Sequence, residues 1–210
     1  MQPFNGLLQT DGYKGYNDVA ARSDVTMFAC MAHARRKFIE AEKNDAERSR
    51  QAVDMIRELY EVERYCRDEN LSCEQRLELR QEKPKTIMEK FKQWFDENAS
   101  AGVPKTSIRD AINYTLGLWP RLERYLDYGE VEIDNNLIEN TIRPIALGRK
   151  NYLFAGSHDA AQNAAMIYSF MATCKLNNID PAKWLMKILS EINETKTSEL
   201  HKLLPLNLEG

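Results

Sequence analysis

The sequence lacks any apolar run close to the ~18 residues that a helix needs to cross a bilayer. Its beginning, MQPFNGLLQTDGYKGY, has neither a basic start nor a continuous apolar stretch, and so it does not have the pattern of a signal peptide. These two absences argue against a membrane protein and against a secreted one. We expect a cytoplasmic protein.

Cysteine is scarce and scattered: Cys30, Cys66, Cys73 and Cys174 follow no repeated spacing. A disulfide framework and a four-thiolate zinc site are therefore both disfavoured. Cys30 and His33 have the C-x-x-H spacing of metal ligands, but a tetrahedral zinc site needs four ligands and no second pair lies at a suitable distance along the chain. We expect reduced thiols and no structural zinc.

Positive charge is not in excess, because 29 Lys and Arg residues face 32 Asp and Glu residues and the net charge is −3. Bulk charge therefore does not predict nucleic-acid binding. Basic residues nevertheless form two clusters, Arg35, Arg36 and Lys37 in the first and Arg143, Arg149 and Lys150 in the second. Screening confines electrostatic reach to ~8 to 10 Å, so that such clusters can bind phosphates even on an acidic protein. The alternative is a solvated helix face.

The chain has 210 residues and is 43% hydrophobic, which suits one domain with an ordinary core, with room for an insertion. Residues 6–10, GLLQT, predict a short strand that ends at Asp11-Gly12, since Asp-Gly terminates strands. Residues 13–22 predict a short helix. Residues 25–30, VTMFAC, predict a second buried strand because they are β-branched and aromatic.

From residue 31 to about residue 128 the pattern is almost entirely helical. Apolar residues recur at helical spacing in two segments separated by the polar run KNDAERSR, and the second segment ends near residue 68. Ser72 and Gln75 have the spacing of a capping box, and the helix that they open is expected to kink or break at Pro84.

Two further helices complete this segment. The first carries an apolar stripe that we expect to face the core: Ile87, Phe91, Trp94 and Phe95. It ends before the loop ASAG at residues 99–102. The second begins near Ser107 and is expected to be interrupted at Pro120.

After Gly129 the pattern changes again. Residues 131–133 are expected to be extended, and residues 134–136, DNN, supply N-cap chemistry for a short helix that Pro144 limits. Residues 149–157 predict a loop. An amphipathic helix is expected over residues 159–176, with Ala164, Ile167, Tyr168, Met171 and Ala172 facing inward, and a last helix begins near Pro181.

The motifs LQTDGYKGY, ACMAHARRKF and IDNNLIENTIRPIALGRKNYLFAGS, with the closing LLP, resemble the transposases of the insertion-sequence sixty-six family. The likeness covers essentially the whole chain, and its most specific part is DNNxxExxIRPxxxGRKN followed by FAGS. It implies an α/β, predominantly helical fold: a partial ribonuclease-H-like core, first strands missing, with a large α-helical insertion. The implied function is that of a DDE-type DNA transposase fragment.

The resemblance also implies a domain organisation. Residues 1–30 would hold part of the core with its second acid, and residues 31–128 the helical insertion. Residues 129–176 would return to the core with the helix of the third acid and the basic motif. Residues 177–210 would form a C-terminal helical element.

In this family three acidic residues hold the metal ions, and the positions that match the second and third are Asp11 and Glu139. Cleavage and strand transfer are in-line displacements assisted by two Mg²⁺ or Mn²⁺ ions ~3.5 to 4 Å apart, and such hard cations prefer carboxylate oxygens. The family's first Asp lies on a strand that would precede LQTDG. We therefore expect this chain alone to lack transposition activity.

Each candidate also has an ordinary structural interpretation. Asp11 can be only a turn residue, and Glu139 can pair with Arg143 four residues later on the same helix face. His33 faces the scissile strand if it follows similar motifs in related transposases, or it is a helix-start histidine bonded to backbone.

The expected DNA-binding residues are His33, Arg35, Arg36, Lys37, Arg143, Arg149 and Lys150, which would contact phosphates without reading sequence. The partners would be the element ends and target DNA, with a homo-oligomer on DNA and no membrane. Two alternatives remain: a non-catalytic helical DNA-binding or oligomerisation remnant of a transposase, and a nuclease or resolvase that cuts but does not join.

Overall fold

The protein, represented by a computed structural model, is described over residues 4–98 and 106–207, and helix predominates there. The strands are β1 (Gly6–Thr10) and β2 (Val25–Ala29). The α-helices in these ranges are α1 (Asn17–Ala20), α2 (Met31–Ala41), α3 (Ala46–Asp68), α4 (Cys73–Asn98), α5 (Ser107–Glu123), α6 (Asn136–Gly148), α7 (His158–Leu176) and α8 (Pro181–Glu191). Short 3₁₀ segments are Lys14–Tyr16, Arg124–Asp127, Thr197–Leu203 and Pro205–Asn207. The chain divides into two compact units, Met1–Asn136 and Leu137–Gly210.

Both predicted strands are present, and they pair in parallel with Gly6 opposite Val25 and Thr10 opposite Ala29. The Gln9 side chain donates to the carbonyls of Ala29, at 3.3 Å, and Glu132, at 2.8 Å, and so ties the strand ends to the segment after the helices. That segment, residues 131–133, forms no strand ladder, although an extended piece is predicted there. The predominance of helix is confirmed, whereas the ribonuclease-H-like core stays a prediction.

The core of the first unit is built from aromatic side chains of α2, α4 and α5. The stripe predicted on α4 is buried throughout, as expected for side chains at helical spacing. Phe91 and Phe95 stack with their ring centroids 4.5 Å apart, and Trp119 of α5 packs edge-on against both, at 5.7 and 5.3 Å. Phe38 of α2 completes the group. This cluster joins α2, α4 and α5, and α5 also packs against β2.

One ion pair lies inside this unit with both side chains fully buried. Glu63 of α3 and Arg80 of α4 form two hydrogen bonds, of 2.8 and 2.6 Å, in a fork-to-fork geometry. Arg80 also donates to the backbone carbonyls of Tyr125 and Tyr128, and its guanidinium lies 4.8 Å from the centroid of the Tyr125 ring. The guanidinium therefore connects α3, α4 and the 3₁₀ segment Arg124–Asp127.

No helix ends at the prolines that were expected to break, interrupt or limit it, although a kink at Pro84 stays a prediction. Pro84 lies inside α4, Pro120 inside α5 and Pro144 inside α6, and each helix continues beyond its proline. A proline removes one donor to the carbonyl four residues earlier, a cost that packing on the rest of a long helix can offset.

The capping box predicted at Ser72 and Gln75 is confirmed. Ser72 Oγ accepts from the Gln75 amide at 3.3 Å, and the Gln75 side chain accepts from the Ser72 amide at 2.9 Å, which is the reciprocal pattern of a capping box. The loop predicted at residues 99–102 lies outside the described residues.

The second unit buries few side chains. Trp184 of α8 packs on Phe170 of α7, with ring centroids 5.4 Å apart, and donates from its indole to the Leu203 carbonyl at 3.1 Å. The sequence predicts a buried face for α7, but Ile167 is 44% exposed and the other four residues predicted to face inward are only half-buried. Cys174 is the one buried residue of α7. The apolar stripe is therefore present in the sequence without being covered in this unit.

No helix in the described ranges is long and apolar enough to span a membrane.

The buried pair yields a prediction about stability. Glu63→Gln or Arg80→Met alone should lower the free energy of unfolding by about 3–5 kcal/mol, because each leaves an uncompensated buried charge. Urea unfolding followed by circular dichroism measures this loss. Arg50→Gln, which removes an exposed pair with Glu42, is the matched control and should change stability by less than about 1 kcal/mol. Single changes at Glu63 or Arg80 that behave like the control would contradict the prediction.

Candidate functional site

Asp11 immediately follows β1, at the carboxyl end of a parallel strand. The backbone amide of Tyr13 donates to its Oδ1 at 2.9 Å, and the Tyr114 hydroxyl of α5 donates to its carbonyl at 2.9 Å. The side chain is half-buried. Asp11 is therefore a turn residue whose side chain and backbone are each held by one hydrogen bond. Its second carboxylate oxygen, Oδ2, receives no hydrogen bond from the described residues.

Gly12 makes this turn possible. Its φ is +85°, in the region that favours glycine, and a Cβ built on it would lie 2.8 Å from Leu118 Cδ1 of α5. The chain thus bends directly against α5 after the strand. Tyr114 and Leu118 lie one turn apart on this helix, and together they hold the Asp11-Gly12 turn in place.

The Cys30–His33 motif starts α2. Cys30 is fully buried, and burial raises the pKa of its thiol, so that the thiol stays protonated near neutral pH. His33 is half-buried, and its backbone amide donates to the Cys30 carbonyl at 3.2 Å. In residues 4–98 and 106–207, no group of three or more His, Cys, Asp or Glu side chains is arranged to hold a metal ion.

Asp134 organises the segment that leads into α6. Its carboxylate accepts hydrogen bonds from the Tyr60 hydroxyl at 2.6 Å, the Asn136 amide at 2.9 Å and the Asn136 side chain at 2.7 Å. These bonds form an Asx turn ahead of α6 rather than the predicted N-cap, because the side-chain oxygen of Asn135, the residue before the helix, is buried without a hydrogen-bond partner among the described residues. Burial, followed by the bond to Asp134, raises the pKa of the Tyr60 phenol, which therefore remains a donor across the physiological pH range.

In the second unit, Glu139 lies in the first turn of α6, where a carboxylate interacts favourably with the helix dipole. The side chain is half-buried, whereas that of Arg143, one turn later, is exposed. Arg149 and Lys150 follow the end of α6 in a tight turn and are also exposed. Asp11 belongs to the first unit and Glu139 to the second.

The residues of the first basic cluster do not all line one surface. Arg35 and Arg36 line a concave pocket with Arg57 and Arg64 of α3, whereas Lys37 pairs with Glu40 at 3.4 Å on the exposed face of α2. Sequence reasoning missed the two α3 arginines because they lie in a helix with many charges of both signs. Their spacing of seven residues places them on one face of the helix, and this spacing could have identified them from the sequence.

The chain matches the family model described as "Transposase IS66 family" over residues 1–163, and the model described as "IS66 C-terminal element" over residues 169–206. Similar curated proteins occur in Sinorhizobium fredii (strain NBRC 101917 / NGR234). The uncharacterized protein y4hP is 35% identical over 96% of this chain and 39% of its own length. The uncharacterized protein y4qI is 34% identical over 98% of this chain and 40% of its own length.

The chain thus spans about two fifths of the length of these relatives. A comparison with solved structures found no match.

The Tyr60–Asp134 bond can be tested directly. Tyr60→Phe should lower the free energy of unfolding by about 1.5–3 kcal/mol, because a hydrogen bond to a charged group is removed and the carboxylate stays partly buried. Hydrogen exchange of the Asn136 amide should also accelerate. Tyr65→Phe on the same helix, where the ring is 54% exposed, is the control and should leave both quantities unchanged. Equal behaviour of the two variants would show that the bond does not stabilise this segment.

Proposed function

The chain belongs to the IS66 family of transposases, and on that basis we propose that it carries two of the three catalytic carboxylates of a DDE-type DNA transposase. The residues are Asp11 and Glu139. The observation that carries the proposal is the position of Asp11: an acid at the carboxyl end of a parallel strand, held by Tyr13 and Tyr114, with one carboxylate oxygen available to a ligand. The reaction would be cleavage and strand transfer of an insertion sequence.

The donor chemistry fits a divalent cation. Carboxylate oxygens are the ligands that Mg²⁺ and Mn²⁺ prefer, and both side chains are half-buried rather than enclosed by apolar neighbours. Bound cations of this kind activate an attacking oxygen and stabilise a leaving one. Asp11 and Glu139 would each supply a carboxylate ligand to them, together with the first acid of the family pattern.

The two reactions need no covalent enzyme intermediate. In the first, water attacks the phosphorus at the element end, and the bond to the 3′ oxygen breaks to leave a 3′-hydroxyl. In the second, that hydroxyl attacks a phosphodiester of the target, whose own 3′ oxygen departs. The role of the protein is to orient the phosphates, for which the arginine fork is suited.

Exposed basic residues of both units would position the DNA. Arg143, Arg149 and Lys150 lie on or directly after α6, the helix that bears Glu139, and Arg35 and Arg36 follow the Cys30–His33 motif. Contacts of this type fix the register of the DNA without reading its sequence. Because strand transfer joins two element ends to one target, we propose that the protein acts as a homo-oligomer on DNA.

Cation binding tests the assignment of the two acids. Mn²⁺ affinity, followed by electron paramagnetic resonance, should fall about tenfold or more in Asp11→Asn or Glu139→Gln, because each removes a charged oxygen ligand. Asp18→Asn is a matched control, since Asp18 is exposed on α1. Unchanged Mn²⁺ affinity in both acid variants would reject the assignment.

Catalysis tests whether two acids suffice. The 210-residue chain, incubated with element-end DNA and Mg²⁺, should bind the DNA but show no cleavage or strand transfer above background. Turnover that disappears in Asp11→Ala would contradict this and would identify a complete enzyme. DNA binding with no dependence on metal, together with no Mn²⁺ binding, would favour the alternative of a non-catalytic DNA-binding protein.

A further inference from the structure

A concave pocket of about 530 Å³ lies between α2 and α3 in the first unit. Arg35 and Arg36 line it from α2, and Arg57 and Arg64 line it from α3, with Tyr60 between the last two. The described residues that form its wall include no Asp or Glu. Four arginine residues thus line a cavity whose described wall has no acidic residue, which is the charge pattern of an anion-binding site.

The arginines of this pocket have few ion-pair or hydrogen-bond partners among the described residues. Within the described parts of the chain, Arg35, Arg36 and Arg64 make no ion pair or side-chain hydrogen bond, and all three are exposed. Arg57 approaches Asp54 at 3.0 Å and Glu61 at 3.8 Å, but these pairs are exposed on the helix surface, where such interactions are weak.

Asp134, whose carboxylate is bonded to the Tyr60 hydroxyl, already accepts three hydrogen bonds from Tyr60 and Asn136. These neutral donors leave the charge of Asp134 in place, but three of the four pocket arginines have no acidic partner among the described residues, so their positive charge remains for a ligand.

Spacing indicates what kind of anion fits. Arg57 and Arg64 are two helical turns apart, which is roughly 10 Å along α3. A single phosphate ion cannot bridge that distance, whereas a nucleic-acid strand presents one phosphate for about every 3.4 Å of duplex axis. Each arginine can form a two-pronged contact with one phosphate. The geometry favours an extended phosphodiester backbone over a small anion.

We propose that this pocket binds the DNA backbone, with Arg57 and Arg64 of α3 as phosphate-binding residues alongside Arg35 and Arg36. The inference rests on the proposed function, because it takes DNA as the ligand. It extends that function by giving α3 a direct role in substrate binding. Helix α3 thus has two faces: Ile56, Leu59 and Glu63 are buried, while Arg57 and Arg64 face the pocket.

The experiment is binding of fluorescent duplex DNA to the full chain, followed by anisotropy over a series of salt concentrations. Arg57→Gln with Arg64→Gln should weaken binding about tenfold or more at low salt. The slope of log affinity against log salt should become shallower by about 0.9 for each phosphate that is no longer neutralised, or roughly 2 in all. Element-end and unrelated duplexes should be affected equally, since backbone contacts do not read sequence.

Arg50→Gln is the control: Arg50 lies on α3 outside the pocket, and its side chain is 72% exposed. Its DNA affinity and salt slope should match those of the unchanged chain. Arg64→Gln alone removes no described ion pair or hydrogen bond, so weaker DNA binding with an unchanged thermal unfolding midpoint would be attributable to the pocket.

Three outcomes separate the possibilities. Weaker binding and a shallower slope in the α3 variants support the pocket. Variants at Arg57 and Arg64 that bind like Arg50→Gln, while Arg143→Gln or Arg149→Gln weakens binding, overturn the pocket and leave the proposed function standing. A chain that binds no DNA at all overturns both.

Discussion

The buried pair between Glu63 and Arg80 is the interaction on which the arrangement of the first unit depends. A charged group with no access to water is stable only if its hydrogen-bonding groups are matched, and here one guanidinium serves a carboxylate and two backbone carbonyls. This requirement fixes α3 and α4 against each other and against the segment after α5. The aromatic cluster supplies apolar burial, but the pair sets which helix registers are allowed, because a slip would leave a charge unmatched.

From this fixed frame, two tyrosines extend to the segments that carry the candidate chemistry. Tyr114 of α5 donates to the backbone carbonyl of Asp11, and Tyr60 of α3 donates to the carboxylate of Asp134, just ahead of α6. Both hydroxyls belong to long helices, and neither of these two hydrogen bonds is made to the carboxylate of a candidate metal ligand. The helical segment, residues 31–128, is therefore hydrogen-bonded both to the turn at Asp11 and to the stretch that leads into α6. The pocket arginines on α3 place a proposed DNA contact on the same rigid element.

Local signals predicted much of this structure. Both strands, the capping box at Ser72 and the apolar stripe of α4 follow from nearby residues, so periodicity and capping suffice to find them. Prolines gave wrong helix ends, because the cost of one missing hydrogen bond is local whereas the packing that offsets it depends on distant residues. The Arg80 pair and the Tyr60–Asp134 bond join residues 17 and 74 positions apart, and no single-sequence pattern marks such partners. Family likeness supplied the candidate acids, which spacing alone would not have distinguished from turn and helix-surface residues.

The two tyrosine bonds also bear on how this architecture can vary between related proteins. A helical segment can usually change length or sequence freely if it touches the flanking parts of the chain only at its ends. Here it is bonded to those parts at several internal points, through Tyr60, Arg76, Tyr114 and Arg124, so that an exchange of this segment between relatives would succeed only when matching donors arrive at these places. The exchange of whole helices between relatives is thus limited by a few polar side chains, among them the two tyrosines on α3 and α5.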